Sequence, residues 1–456
     1  IESKNKINTY RKNYLSSLKD LEKNSGEIEN IESIILANTF FLSYHGRNNR
    51  KLMEKTANIF EKNILNLCYV SSNLKIHKKK KKIRIGFISQ FLTDHTIGKL
   101  FSGLIINLDR NKFDVYIFHT NRTQRGSIKD RIDHSSYKVI KLGLKLSVQR
   151  KQIIDEDLDI LFYTDIGMSP STYFLAFSRL APLQITTWGH PETSGIKTID
   201  YFLSSSKFEN NESKKNYSEN LICLKSFPIF YEEPKIKILK NRKQLDLPIN
   251  FRLYGCPQSL FKIHPDFDIV LEKILLNDPN GYIVFIGGKG KISFWKKMLQ
   301  KRWSENHPIL NKRVIFTRRY SLEEFVSFCN CVDVLLDPLH FGGGNTFLEA
   351  MAVGTPTITM PDKFLKTNIT AGAYRQMRLA KPPIVKNQKE YVDVAINLAR
   401  NKNKNKQLRL ESKIAAKKYL YRNKAPVKEF EKFLINAKKL INTGKKLKDG
   451  YILDAK

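Results

Sequence analysis

Cysteine is scarce in this 456-residue chain: Cys68, Cys223, Cys256, Cys329 and Cys331 are five in number and widely scattered. An odd, dispersed set excludes a disulfide-framed secreted domain and predicts reduced thiols in a cytoplasmic protein. Cys329 and Cys331 stand one residue apart with no second ligand pair, so they do not read as a zinc site. Long apolar runs are missing too: no window approaches the ~18 consecutive apolar residues of a membrane-spanning helix. The opening "IESKNK" carries neither an initiator Met nor a secretory pattern, and the first residue reads as a cut in a longer protein.

Acidic residues are in short supply: 44 Asp and Glu face 79 Lys and Arg, a formal net charge of +35. Such an excess suits nucleic acid. Yet the basic residues are mostly Lys, spread along the chain beside many Asn and Ile. Neither zinc-finger spacing nor an RNA-recognition aromatic signature accompanies them. The densest run, Lys78 to Lys82, lies just before an apolar strand as a solvated linker. Compositional bias accounts for the charge, and a positive field would also help gather an anionic nucleotide. No tetratricopeptide consensus recurs at its usual period.

What is present is a chain too long for one ordinary core, which predicts two or three domains. Residues 1–80 read as helical. Met53, Ala57, Phe60, Ile64 and Leu67 recur at helical spacing and define one apolar face. Ile34 to Tyr44 is apolar nearly all round and should be buried between helices.

From Ile83 short apolar runs alternate with helical stretches: "IRIGFIS", "FDVYIFHT", "YKVIKL", "LDILFYT", "LQITTWG" and "YFLSS". A loop-rich, proline-bearing junction follows, from Ser213 to Pro248. A second series then starts: "FRLYGCPQS", "YIVFIGG", "RVIFTRR", "VDVLLDP" and "TPTITMP". Alternation of this kind predicts parallel sheets built from crossover units. The expected architecture is α/β, with units over 81–240 and 241–400, a cleft between them, and closing helices over 401–456. Ligands in such sheets bind beyond the carboxyl ends of the strands.

The strand-end loops are where chemistry is expected. "DPLHFGGGNTFLEAMAVG" joins a buried strand to a helix. Gly342, Gly343 and Gly344 lack Cβ atoms, so the backbone can turn sharply and approach a ligand. Asn345 or Thr346 can cap the helix, whose free N–H groups then form a phosphate cradle. Glu349, about one turn on, could take ribose hydroxyls. In "CPQSLFKIHPDFD", Gln258, Ser259 and Lys262 reach a strand end of the same half, where Lys262 could meet a diphosphate. In the first half, Asp94 and His95 follow one strand, Asp165 a second and His190 a third. A histidine suits general-base work near neutral pH. Two Asp-x-Asp patterns, in "DEDLD" and "HPDFD", read as structural rather than as metal ligands. The second fits a helix's first turn.

Taken together, "RIGFISQFLTDHTIGKLF", "LAPLQITTWGHPETSGIKTIDYFLSS", "CPQSLFKIHPDFD" and "DVLLDPLHFGGGNTFLEAMAVGTPTITMP" resemble glycosyltransferase family 41, the O-linked N-acetylglucosamine transferases. The similarity is nearest to the bacterial SPINDLY-like proteins and spans roughly Arg84 to Gly372. It implies a GT-B fold: two Rossmann-like domains facing across a cleft, preceded by a helical segment, with UDP-sugar held mainly by the C-terminal domain. Lys262 matches the lysine that stabilises the diphosphate leaving group, and Thr346 a phosphate-contacting threonine. Glu349 matches a ribose-binding aspartate, and His95 the active-site histidine of the N-terminal domain. Departures are Gly344, Asn345, Phe261, Leu322, Phe325 and Asn368, which replace residues of the animal enzymes.

The implied reaction moves N-acetylglucosamine, or another hexose, from UDP to Ser or Thr of a protein acceptor, with inversion. No metal, cofactor, membrane span or specific nucleic acid is expected. A UDP-sugar epimerase, transfer to Asn or glycan acceptors, and a basic nucleic-acid-binding protein are the competing readings.

Overall fold

A computed structural model of the chain describes residues 1–24, 39–72, 74, 81–287 and 292–453. Residues 34–38 of the apolar segment and Lys78 to Lys80 of the basic run lie outside the described residues. Two compact units emerge. One comprises residues 13–43, 47–232 and 423–456, the other residues 1–12, 44–46 and 233–422.

The first unit is built on an all-parallel sheet. Its order is Tyr451–Ile452, Asn220–Leu224, Tyr201–Ser205, Leu183–Thr187, Ile160–Tyr163, Ile83–Ser89, Phe113–His119, Lys138–Lys141. The central strands are near-continuous apolar runs because both faces are covered. Six of the eight strands occupy the predicted runs. Two were not expected. Asn220–Leu224 lies in the stretch read as a junction, and Tyr451–Ile452 lies in a terminus read as helical. The signal in "NLICL" is only five residues long and is bracketed by Lys, Asn and Ser. Tyr451–Ile452 is recruited by tertiary pairing with Ile222 and Cys223. Helix Ala425–Ile441 packs on this sheet, with Phe430 at 6.4 Å from Phe87 and 5.4 Å from Phe162.

Chain order fixes the reactive edge of the sheet. From Ile83–Ser89 the chain builds outward through Phe113–His119 to Lys138–Lys141, then returns to start Ile160–Tyr163 on the other side. The switch point therefore lies between Ile83–Ser89 and Ile160–Tyr163. The loops after these two strands carry His95 and Asp165.

The second unit repeats the device with five parallel strands: Val314–Phe316, Gly281–Phe285, Arg252–Cys256, Val334–Leu336, Thr357–Ile358. Its switch point lies between Arg252–Cys256 and Val334–Leu336, so the Pro257–Lys262 and Asp337–Asn345 loops emerge side by side. Fully buried Trp303 stacks at 6.2 Å from Phe285 and 6.1 Å from Phe316, one anchor of the core. Its truncation to Ala should cost about 3–5 kcal/mol.

In the N-terminal region, helix Arg50–Asn63 buries Met53 and Ala57, as their spacing predicts. Ile64 and Leu67 are buried beyond its end. Thr39–His45 forms a 3₁₀ helix.

Candidate active site

In the second unit, the two switch-point loops are tied together by side chains. Lys262 Nζ donates to Gln258 Oε1 at 2.9 Å, and Gln258 Nε2 donates to Thr346 Oγ1 at 2.7 Å. The ammonium also lies over the Phe341 ring, 4.6 Å from its centroid. Burial lowers the Lys262 pKa to about 8, against the opposing influence of Asp337 and Cys256. Because Thr346 Oγ1 accepts from Gln258, its own proton is left to donate elsewhere.

The glycine turn works differently from the expected cradle. Gly342 N donates to Lys366 O at 2.8 Å and Gly343 N donates to Asp337 Oδ1 at 2.5 Å. Two of the three glycine amides thus point inward. The glycines are needed for closeness. A Cβ on Gly342 would lie 2.8 Å from Asp337 Oδ2, and one on Gly343 3.0 Å from both Gln258 Nε2 and Thr346 Oγ1. Helix Asn345–Ala350 opens at Gly344 with no side-chain cap, which corrects the capping role read for Asn345 or Thr346. The Thr346 hydroxyl is engaged by Gln258 instead. Glu349 is buried on the same helix, and its charge raises the Cys329 thiol's pKa, burial being the larger cause. Ser259 is exposed, and its carbonyl accepts from Lys262 N at 2.9 Å. Asn368, one of the departures, donates to Phe364 O at 2.9 Å within the start of its own helix.

Asp337 went unremarked in the sequence, although it ends the apolar strand of the quoted stretch. It is buried under the turn. Oδ2 accepts from Thr359 Oγ1 at 2.8 Å, and burial raises its pKa to about 6 against these hydrogen bonds and the charge of Lys262.

Beside this site His264, Asp266 and His340 present ligand-type atoms within 4.8 Å of one another. Their atoms already serve the fold. His264 Nδ1 accepts from Asp266 N at 3.1 Å, capping helix Pro265–Asn277, and His340 Nε2 meets Asp266 Oδ2 at 2.8 Å. Lys4 pairs with the same carboxylate. Asp268, the second acid of that pattern, donates its charge to a buried pair with Arg302 at 2.7 Å.

In the first unit the three expected loops meet. A Cβ on Gly189 would lie 3.0 Å from Ile97 Cδ1 and 2.1 Å from Thr164 O. A Cβ on Gly167 would lie 3.2 Å from the His190 ring. His95, Asp165 and His190 therefore sit on loops in mutual contact. His95 is the N-cap of helix Thr96–Ile106, its Nδ1 accepting from Ile97 N at 3.2 Å. A neutral ring in that pose carries its proton on Nε2, so it presents a donor there. Asp94 belongs to the scaffold: it accepts from Ser127 N at 3.0 Å and Ile128 N at 2.8 Å. His190 is buried, with Phe40 at 4.9 Å. Asp165 is fully buried, and burial raises its pKa to about 6. Its Oδ1 accepts from Thr164 Oγ1 at 2.9 Å, whereas Oδ2 has no hydrogen-bond partner among the described residues.

The family model for glycosyl transferase family 41 matches residues 40–232 and 230–432. The chain belongs to that family. This family 41 chain is 23% identical over 334 residues to the probable UDP-N-acetylglucosamine–peptide N-acetylglucosaminyltransferase SEC of Arabidopsis thaliana, covering 71% of itself and 34% of that protein. It is 25% identical to the SPINDLY protein of Petunia hybrida, covering 70% of itself and 34% of that relative. It thus spans about a third of the length of these plant relatives. Among solved structures, a point variant of Thermobaculum terrenum O-GlcNAc transferase superposes with a TM-score of 0.74 at 20% identity, covering 89% of this chain and 76% of that one. That likeness places the fold in the GT-B class, as the sequence predicted. Among the described residues no helix is long and apolar enough to cross a membrane.

Proposed function

We propose that the chain transfers N-acetylglucosamine from UDP-N-acetylglucosamine to Ser or Thr hydroxyls of proteins, with inversion and without a metal. The observation that carries this reading is the Lys262–Gln258–Thr346 chain at the second switch point. It sets a partly desolvated ammonium and a hydroxyl donor on adjoining loops, the pair of groups a diphosphate leaving group requires.

The acceptor oxygen attacks the anomeric carbon from the face opposite UDP. The bond from that carbon to the β-phosphate oxygen breaks, and its electron pair stays on UDP. Lys262 and Thr346 stabilise the charge that develops there, each by about 3 kcal/mol in a water-poor setting. The acceptor hydroxyl must lose its proton. Asp165 suits that role better than His95, because it is an acid of pKa about 6 with an unpartnered oxygen. His95 and His190 are then assigned to holding sugar and acceptor. Gly344, Asn345 and Glu349 are assigned to the nucleotide. Free thiols on all five cysteines support a cytoplasmic setting.

Mass spectrometry of lysate proteins incubated with the chain and UDP-N-acetylglucosamine, UDP-glucose or UDP-galactose tests the reading. Ser- or Thr-linked N-acetylhexosamine is the expected product. Sugar on Asn would instead favour the chemistry named for a relative at 22% identity, the UDP-glucose:protein N-β-glucosyltransferase of Actinobacillus pleuropneumoniae. Interconversion of UDP-sugars without any acceptor would refute transfer.

A further inference from the structure

We infer that Asp337 is a positioning residue that keeps Lys262 protonated and shapes the glycine turn, so that the two switch-point loops act as one diphosphate-binding unit. The inference rests on the donor-site reading above.

Its geometry is specific. Asp337 directly follows strand Val334–Leu336 and is anchored through its backbone: its N–H donates to Ile358 O at 3.0 Å, and its carbonyl accepts from Tyr391 OH at 3.0 Å. With the backbone fixed, Oδ1 takes Gly343 N–H and Oδ2 takes the Thr359 hydroxyl. Gly343 is held again from behind, its carbonyl accepting from Thr370 Oγ1 at 2.9 Å. That peptide packs on Gln258 and Thr346, the residues that hold Lys262 in place.

An unpaired ammonium here would be costly to bury. The charged or titratable groups acting on Lys262 are Asp337 and Cys256, and both favour its charged form. Those acting on Asp337 are Lys262, with Tyr391 and Tyr374 close enough to feel its charge. Burial drives the Cys256 thiol well above its ordinary pKa, so it stays neutral. Asp337 is therefore the anion that keeps Lys262 cationic at neutral pH. It does so from beneath the turn, with each oxygen already accepting a hydrogen bond from the protein.

The test is UDP affinity against pH, from about 6 to about 10, on the full chain. Wild-type affinity should fall as Lys262 loses its proton, with a midpoint near 8. Asp337→Asn keeps the shape and a hydrogen bond to Gly343 but removes the charge. Its midpoint should move down by about one pH unit or more, with at least about threefold weaker binding at pH ~7.5, where the protonated fraction of Lys262 falls. In a Lys262→Ala background the same change should have little further effect, because Asp337 acts through Lys262. Should Asp337→Asn not fold, Thr359→Val serves. It strips a donor from the carboxylate, favours the neutral acid and should move the midpoint the same way by less. Weaker binding with an unmoved midpoint in whichever variant folds makes Asp337 merely structural and overturns the inference. Wild-type chain that binds no UDP at any pH overturns the donor-site reading itself, a distinguishable failure.

Discussion

Lys262→Met separates what the fold gains from what the reaction needs. The ammonium's pKa falls from 10.5 to about 8 through burial. A fall of about 2.5 corresponds to about 3 kcal/mol against the charged form, and the partial exposure of the side chain reduces this to about 1–2 kcal/mol. The sign follows from proton counting. Between pH 8 and 10.5 the unfolded chain keeps the proton that the folded chain has released, so wild-type stability rises with pH across that window. Methionine has no such term. The lost bond to Gln258, worth about 1 kcal/mol, shifts the variant's stability at every pH and does not alter the slope. Urea unfolding can be followed by Trp295 and Trp303, both in this unit, in a Trp188→Phe background. Wild type should gain about 1–2 kcal/mol on the variant as pH rises from 8 to 10.5. UDP release should fall about 100-fold or more. A stability difference that stays flat across the window would refute the claim that Lys262 is held charged against its environment.

Three further outcomes are expected. Gly343→Ala places a methyl 3.0 Å from Gln258 Nε2 and Thr346 Oγ1, so UDP affinity measured calorimetrically should drop about tenfold while the far-UV spectrum is kept. Asp165→Asn should abolish most turnover yet stabilise the chain. The folded pKa of about 6 lies above 3.8, so this group's stabilisation is present at low pH and lost as pH rises through 6. The variant should therefore match wild type below pH ~4 and exceed it by up to about 3 kcal/mol above pH ~7, measured by denaturant unfolding. Chelation with EDTA should leave sugar transfer unchanged, since Lys262 and Thr346 are expected to do the charge stabilisation a metal would otherwise do; a loss restored by Mg²⁺ or Mn²⁺ would contradict this.

Residues that declare themselves by local pattern were legible. The strands at both switch points fall where unbroken apolar runs end, at Ser89, Tyr163, Cys256 and Leu336. Because ligand loops follow such ends, the sequence already placed His95, Asp165, Lys262 and the glycine turn on the loops after those strands, where the structure has them. Roles set by tertiary partners were not legible. Thr346 reads as a cap by propensity, but Gln258, 88 residues earlier, takes its hydroxyl. Asp94 looks as available as its neighbour His95, yet two amides of helix Ser127–Ser135 claim it. Gly342 and Gly343 look like amide donors until Lys366 O and Asp337 receive their protons.

The two buried acids show how much that tertiary context decides. Asp165 and Asp337 each follow a strand at a switch point, are each buried, and are each raised to about 6 by that burial. Strand-end position and pKa therefore cannot tell them apart. Their oxygens can. Both oxygens of Asp337 receive donors from the protein, one from the Gly343 amide and one from the Thr359 hydroxyl, so on the inference above its charge serves the loop and Lys262. Asp165 has Thr164 on one oxygen and Ser89 near enough to oppose its pKa rise, and its Oδ2 has no hydrogen-bond partner among the described residues. A buried polar atom left without a partner costs about 1–3 kcal/mol. That cost is repeatedly found where a site waits for a proton or a ligand. On the proposed reading, the same acid at the same point of the same topology is scaffold in one unit and reagent in the other, and the distinction lies in how the second oxygen is held.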